Sequence, residues 1–361
     1  MHSRLSRYSA AAVAALLLGA TACTEATGPV PLDVAGMQED LMAGTGAISA
    51  PATRSLAALG GDLDDALAVM GGGSSAIDLP AALLTDPTAL IARRELRARV
   101  ATDLGTASAI PLLALGKTFV YDINVDRYGV SDLTGAPANG VRFLLYAVDA
   151  STLTVIEPLI QTGYVDLTRT ATATSATARV QVYSSALTPL KVLDYSATLS
   201  GPLLAPNVRV SGFARNGTDS LAFNLSSTLT LATLTIDIDW LAEVPSRGVG
   251  TRVLQTIVGG SNAFATINGR IAGPHGAVRI EGTIVDATGG TLTVKVNNET
   301  FATIALDSGD DETPVILDAG GAPLSAAETQ MLELMLSWFR EAFEMFASLL
   351  SPVQTLLDLA F

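Results

Sequence analysis

From Lys117 to about Asp318 apolar and polar residues alternate with a period of two, and this pattern limits the fold more than any other feature of the chain. Leu234, Ile236, Ile238 and Trp240 alternate with Thr233, Thr235, Asp237 and Asp239. Val278, Ile280 and Ile284 alternate with Arg279, Glu281 and Thr283, and Leu292, Val294 and Val296 with Thr293, Lys295 and Asn297. Successive strand side chains point to opposite faces, so such stretches predict half-buried strands of an antiparallel sheet. Val141–Val148 is apolar along nearly its whole length and predicts a strand covered on both sides. Asn216-Gly217, Gly273-Pro274-His275-Gly276, Gly289-Gly290 and Asn297-Asn298 supply hairpin signals, because Asn and Gly accept the positive φ that tight turns require. Short links between roughly a dozen strands favour a meander. Twist should curl a sheet that wide into a trough, a half-barrel or two packed layers.

Helical patterns flank this region. Residues 35–110 read as helical pieces broken by glycine: Ser55–Leu59 and Leu63–Val69 are apolar-periodic, and Gly71-Gly72-Gly73-Ser74-Ser75 is a break. Asp86-Pro87 is a helix start, followed by Arg93, Arg94 and Arg97 on a narrow arc, which reads as a solvated or internally paired face. Near the other end Ser325 and Glu328 have the spacing of a capping box, and a helix is predicted from there to about Leu350, before Pro352. Its polar residues (Glu333, Ser337, Arg340, Glu341, Glu344 and Ser348) share one arc of roughly 100°, and the rest of its circumference is apolar. A helix this apolar wants a concave host, and the curled sheet is the one available. The expected fold is therefore α+β: a large curled antiparallel meander over 111–318, a helical segment over 35–110, and a C-terminal helix within 319–361 packed on the sheet. Trp338, Phe339, Phe343 and Phe346 are the residues expected to touch any apolar ligand held between helix and sheet.

Catalytic patterns are scarce. Beyond residue 22 the one histidine is His275, inside a Gly/Pro turn and with no orienting partner nearby in sequence, which reads as an exposed turn histidine. G-x-S-x-G, H-E-x-x-H and Walker motifs are missing from the sequence. One such histidine with one cysteine argues against zinc. The acidic run from Asp307 to Glu312 offers oxygen ligands suited to Ca²⁺, but not at EF-hand spacing, and reads as a solvated turn. Asp237 and Asp239 read as the wet side of a strand. No cofactor, no metal and no enzymatic activity are expected, and a hydrolase is the least favoured reading. Aromatic residues are 5% of the chain, too few for the girdles of a membrane-spanning barrel.

The leading residues carry an address. Arg4 and Arg7 precede an apolar run, Ala10–Ala20, which is too short for about 30 Å of hydrocarbon but suits a signal-peptide core. Ala20-Thr21-Ala22 then leads to Cys23, the one cysteine of the 361 residues. This resembles the lipobox of bacterial lipoprotein precursors, with Ala20 where Leu is usual. The resemblance covers residues 1–23. It implies cleavage of 1–22 as a signal peptide, acylation of Cys23, and a membrane anchor. Ala20-x-Ala22 also suits a plain signal peptidase, and the placement of the lone cysteine favours the lipoprotein. Thr24 in place of Asp leans toward the outer membrane, with the body facing the periplasm or the surface. Residues 23–34, with Gly28, Pro29 and Pro31, read as a tether.

The whole chain has a net charge of −14, and removal of 1–22 takes away Arg4, Arg7 and no acid, which leaves −16. That excess argues against a nucleic-acid partner, which needs a basic footprint. The function expected is an anchored, non-enzymatic lipoprotein that binds an apolar small molecule or lipid between sheet and C-terminal helix. The alternative is a structural or protein-interaction module of the cell envelope with no ligand.

Overall fold

The computed structural model describes residues 32–68, 110–149, 151–172, 174–202, 205–259, 263–285, 289–306 and 314–340. Cys23, the Asp86-Pro87 helix start with Arg93, Arg94 and Arg97, the Asp307–Glu312 run, Phe343 and Phe346 lie outside them.

Two helices come first, α1 (Val34–Ile48) and α2 (Pro51–Ala68). Asp33 caps α1, its Oδ1 accepting from the Gly36 N–H at 3.0 Å. The buried stripe of α1 is Met37, Asp40, Ala43, Gly44 and Ala47, and its small members Ala43, Gly44 and Ala47 let the backbone approach the sheet. In α2 the buried residues include Leu56, Leu59, Leu63 and Leu67. This helix runs unbroken through Gly60-Gly61, where the sequence suggests separate pieces. Two glycines cost roughly 1 kcal/mol each in a helix interior, and burial of the leucines on either side outweighs that.

After a short 3₁₀ turn (Leu112–Ala114) come β1 (Thr118–Asp122), β2 (Arg127–Ser131), β3 (Gly140–Tyr146), β4 (Gln161–Ala171) and β5 (Ser175–Ser184). They are followed by β6 (Lys191–Ser200), β7 (Asn207–Arg215), β8 (Ser220–Thr230), β9 (Thr235–Val244) and β10 (Val249–Val258). The last are β11 (Phe264–Gly273), β12 (Gly276–Val285), β13 (Gly289–Val296), β14 (Glu299–Leu306) and β15 (Val315–Asp318). Among the described residues a helix, α3, then covers 326–340.

All fifteen strands form one sheet, which is not closed. From β3 to β15 each strand pairs antiparallel with the next, an uninterrupted meander. The β1–β2 hairpin extends it beyond β3, with β1 parallel to β3. The sheet is therefore mixed, and the architecture is a β-rich α+β fold.

The alternation is clean in strands such as β8 and β9, and it is interrupted where consecutive residues are buried, at Val165–Leu167 of β4, Val192-Leu193 of β6 and Phe301-Ala302 of β14. On the inner face of β9 Ile236, Ile238, Trp240, Ala242 and Val244 are buried, while Asp237, Asp239 and Glu243 point outward. In β3, Val141, Phe143 and Leu145 are fully buried but Arg142, Leu144 and Tyr146 are only half-buried, so the strand is not covered equally on both sides. Its outer face is closed by Arg142 itself, whose Nε and Nη2 donate to both oxygens of Asp166 at 2.7 and 2.8 Å. Leu234 does not enter β9; it takes a positive φ of 52° in the turn before it.

Helix α2 lies against β2–β6 and α1 against β7–β9. Ala52 of α2 lies against Gly163 of β4, and the Ser55 and Thr162 hydroxyls meet at 2.9 Å. Gly44 of α1 packs on Val244 and Leu221. Leu332, Met335 and Trp338 of α3 are buried within the same hydrophobic core. The capping box is formed: the Ser325 N–H donates to Glu328 Oε2 at 2.8 Å, and the Glu328 N–H donates to Ser325 Oγ at 3.3 Å.

Because the meander reverses at each turn, the β3–β4, β5–β6, β7–β8, β9–β10, β11–β12 and β13–β14 connections gather at one end of the sheet. Leu32 and Asp33, expected within the tether, are docked at this end. Leu32 is buried, and the Asp33 N–H donates to the His275 carbonyl at 3.2 Å.

Candidate functional site

A pocket of about 190 Å³ opens where α1, α3 and the inner face of β8–β10 meet. Leu41, Met42 and Thr45 of α1 form one wall, Leu334 and Trp338 of α3 another, and Val244 with Val249 the floor. Each wall has a local cause. The small stripe of α1 sets its backbone close to β9, so the larger Leu41 and Met42 overhang the gap. In α3, Leu334 and Trp338 are four residues apart and so share one face. The Trp338 ring is buried, and among the described residues its Nε1 has no hydrogen-bond partner. A buried indole N–H without a partner is uncommon in a folded core.

Of the four aromatic residues singled out in the C-terminal helix, Trp338 lines this pocket and Phe339 does not. The Phe339 ring lies over Gly269 of β11, filling the space a side chain would take. The structure does not describe Phe343 or Phe346. The α1 contribution, Leu41, Met42 and Thr45, was not visible in the sequence, because the polar residues of α1, Gln38, Glu39, Asp40 and Thr45, are spread around the helix and mark no face for a ligand.

A charged cluster sits beside the pocket, at the end of the sheet where Leu32 docks. His275 Nδ1 is 2.7 Å from Asp33 Oδ2, and its Nε2 is 3.6 Å from Asp40 Oδ2. Arg247 Nη1 reaches Glu39 at 3.1 Å and Asp40 at 3.8 Å, and its Nε lies 3.6 Å from Asp219. The sequence reading of His275 as a turn histidine without an orienting partner is thus corrected. Its partners come from α1 and its cap, more than 230 residues earlier in the chain, and no local spacing signals them. The Gly36 N–H holds the Asp33 carboxyl below its usual range against the opposing effect of burial, and His275 adds to the lowering. The cluster fastens α1 to the hairpins at 245–248 and 274–275.

Among the described residues no group of three or more His, Cys, Asp or Glu is placed to hold a metal ion. None of the described helices is long and apolar enough to cross a membrane. Comparison with protein-family models, with curated proteins and with solved structures found no match.

Proposed function

We infer that this chain is a lipid-anchored module of the bacterial envelope that holds a small apolar group between its sheet and its C-terminal helix. The pocket under Trp338 and Leu334 carries this reading. Its volume of about 190 Å³ falls below the range of drug-sized sites, roughly 300–1,000 Å³. It exceeds the engineered cavity of about 150 Å³ that accepts benzene elsewhere. The ligand class is therefore an alkyl or aryl group of about six or seven carbons, free or at the end of a longer molecule. In this reading the sheet curls around the three helices and α3 closes the trough. Acylated Cys23 supplies the anchor. Eight residues lie between it and docked Leu32, a reach of about 30 Å at full extension, so the Leu32 end of the sheet faces the bilayer.

The Trp240→Phe chain leaves Trp338 as its one tryptophan, excited apart from the tyrosines. Titration with 1-hexanol should shift Trp338 emission saturably, and Leu334→Phe, which fills part of the pocket without adding a tryptophan, should weaken or abolish the shift. A linear, non-saturating response in both chains contradicts the reading.

The alternative, a protein-interaction module without a ligand, draws on Leu153, Ile160, Leu187 and Leu190. These are exposed on the β3–β4 and β5–β6 connections at the Leu32 end. Loss of a co-purifying partner when Leu187 and Leu190 become serine, with hexanol without effect, would favour it.

A further inference from the structure

The outer face of the sheet carries a feature that neither the anchor nor the pocket uses. Arg252 of β10 is directly opposite Arg270 of β11, Arg270 is opposite Arg279 of β12, and Arg279 is opposite Lys295 of β13. Four cations thus stand side by side on four adjacent strands, a row about 15 Å long at the usual strand spacing. Like charges directly opposite one another destabilise a sheet. In a chain with 35 acids and 21 Lys+Arg, a row of this kind stands out.

Among the described residues three of the four are partnered, and Arg270 is not. Arg252 donates from Nε and Nη2 to the two oxygens of Asp239 at 3.0 and 2.9 Å. Arg279 Nη2 is 2.8 Å from Glu281, its Nε donates to Asn268 at 3.2 Å, and Lys295 also pairs with Glu281. Arg270 is exposed and makes no ion pair or hydrogen bond among the described residues. The three guanidinium groups line one open pocket of about 660 Å³, walled on its apolar side by Leu241, Leu254 and Ala272. Glu243 also borders it and is the one carboxylate there without a cationic partner.

We propose that Arg252, Arg270 and Arg279 form a binding site for a phosphomonoester group. A guanidinium donates in parallel to two oxygens of a phosphate, and its charge-assisted bonds are about twice as strong as neutral ones. Arg270 supplies the full fork. Arg252 and Arg279 each keep Nη1 in reserve, so donors converge from three strands. That arrangement suits a tetrahedral anion better than a planar carboxylate. The apolar wall accommodates the organic part of the molecule. Each arginine lies three residues from the strand end nearest docked Leu32, so either a soluble phosphomonoester or the head group of a lipid can supply the phosphate.

The test is phenylglyoxal labelling of the full chain in nonionic detergent, read by mass spectrometry at Arg270 and at Arg209, an exposed arginine of β7. Phenyl phosphate should slow Arg270 labelling roughly tenfold at saturation and leave Arg209 unchanged. Protection by phenyl phosphate assigns the site to a free molecule. Protection by phosphatidic acid in the micelles, without protection by phenyl phosphate, assigns it to a lipid head group. Phosphorus NMR of phenyl phosphate or of the phosphatidic acid, whichever protects, should show broadening that is lost in Arg270→Gln and retained in Arg209→Gln. Absence of protection by either compound overturns the proposal. So does equal protection at Arg209, or protection by benzoate as strong as by phenyl phosphate.

Discussion

Gly269 sits on the inner face of β11 between Val253 and Ile280, where its neighbours are apolar and branched. A Cβ at this position would stand 2.9 Å from Phe339 Cε1, so the missing side chain makes the seat for that ring. Gly269→Val should expel Phe339 and cost about 1–3 kcal/mol, read as a lower urea midpoint with unchanged slope. An unchanged midpoint would mean that α3 does not depend on this contact. At this scale the sequence is legible in part. Asn297 and Asn298 announce a hairpin, and both take positive φ, 50° and 72°, in a two-residue turn. Gly269 gives no comparable signal. A glycine within a strand pattern marks a close approach without naming what approaches, and here the visitor lies seventy residues further on.

Among the elements, α3 depends on its start. The reciprocal Ser325 and Glu328 bonds satisfy backbone donors that would otherwise have no partner inside the helix. Ser325→Ala should destabilise the protein by about 0.5–2 kcal/mol. Hydrogen exchange should show the loss first in the α3 amides, before those of β9 and β10. Uniform acceleration across the sheet would mean that α3 is not a separate unit of stability. The capping box could be read from four residues, because it is local. The strands could be read for the same reason, since alternation is a property of neighbours. Strand register is not local, and the Arg252–Arg270–Arg279 row exists only once three strands are aligned. The β1–β3 pairing was hidden for a related reason. The Gly135-Ala136-Pro137 loop carries the chain across to the other side of β1, so a hairpin that looks like part of the meander ends as a parallel partner.

Over the whole molecule, several carboxylates are held below their usual range. The Ser151 hydroxyl and the Ser151 and Thr152 N–H groups bring Asp149 down to about 2. Burial opposes ionisation of Asp194, but Arg179, Lys191 and Gln181 outweigh it and hold it low. Asp33 is lowered by the Gly36 N–H and His275, and Glu281 by Lys295 and Arg279. In each case the unfolded chain binds the proton more tightly than the folded one. These groups therefore add stability above the ordinary carboxyl pKa, 3.8 for aspartate, and lose it as the pH falls toward about 2. The urea midpoint should stay level from neutral pH down to about 5 and then fall steadily. A midpoint that rises on acidification would show that repulsion within the net negative charge outweighs these contacts. The charge excess, plain from composition, favours repulsion. The ion pairs that answer it, such as Arg142 with Asp166, appear only in the folded sheet.

The most direct test of the central claim, an apolar pocket between sheet and helix, is native mass spectrometry of the chain from Thr24 onward, purified without detergent. A reproducible extra mass that disappears on denaturation and extracts into organic solvent is expected, or, in a stripped sample, one-to-one uptake of added 1-hexanol that Leu334→Trp prevents. A clean unliganded mass that takes up no hexanol would contradict it and leave the space beneath Trp338 as a packing gap.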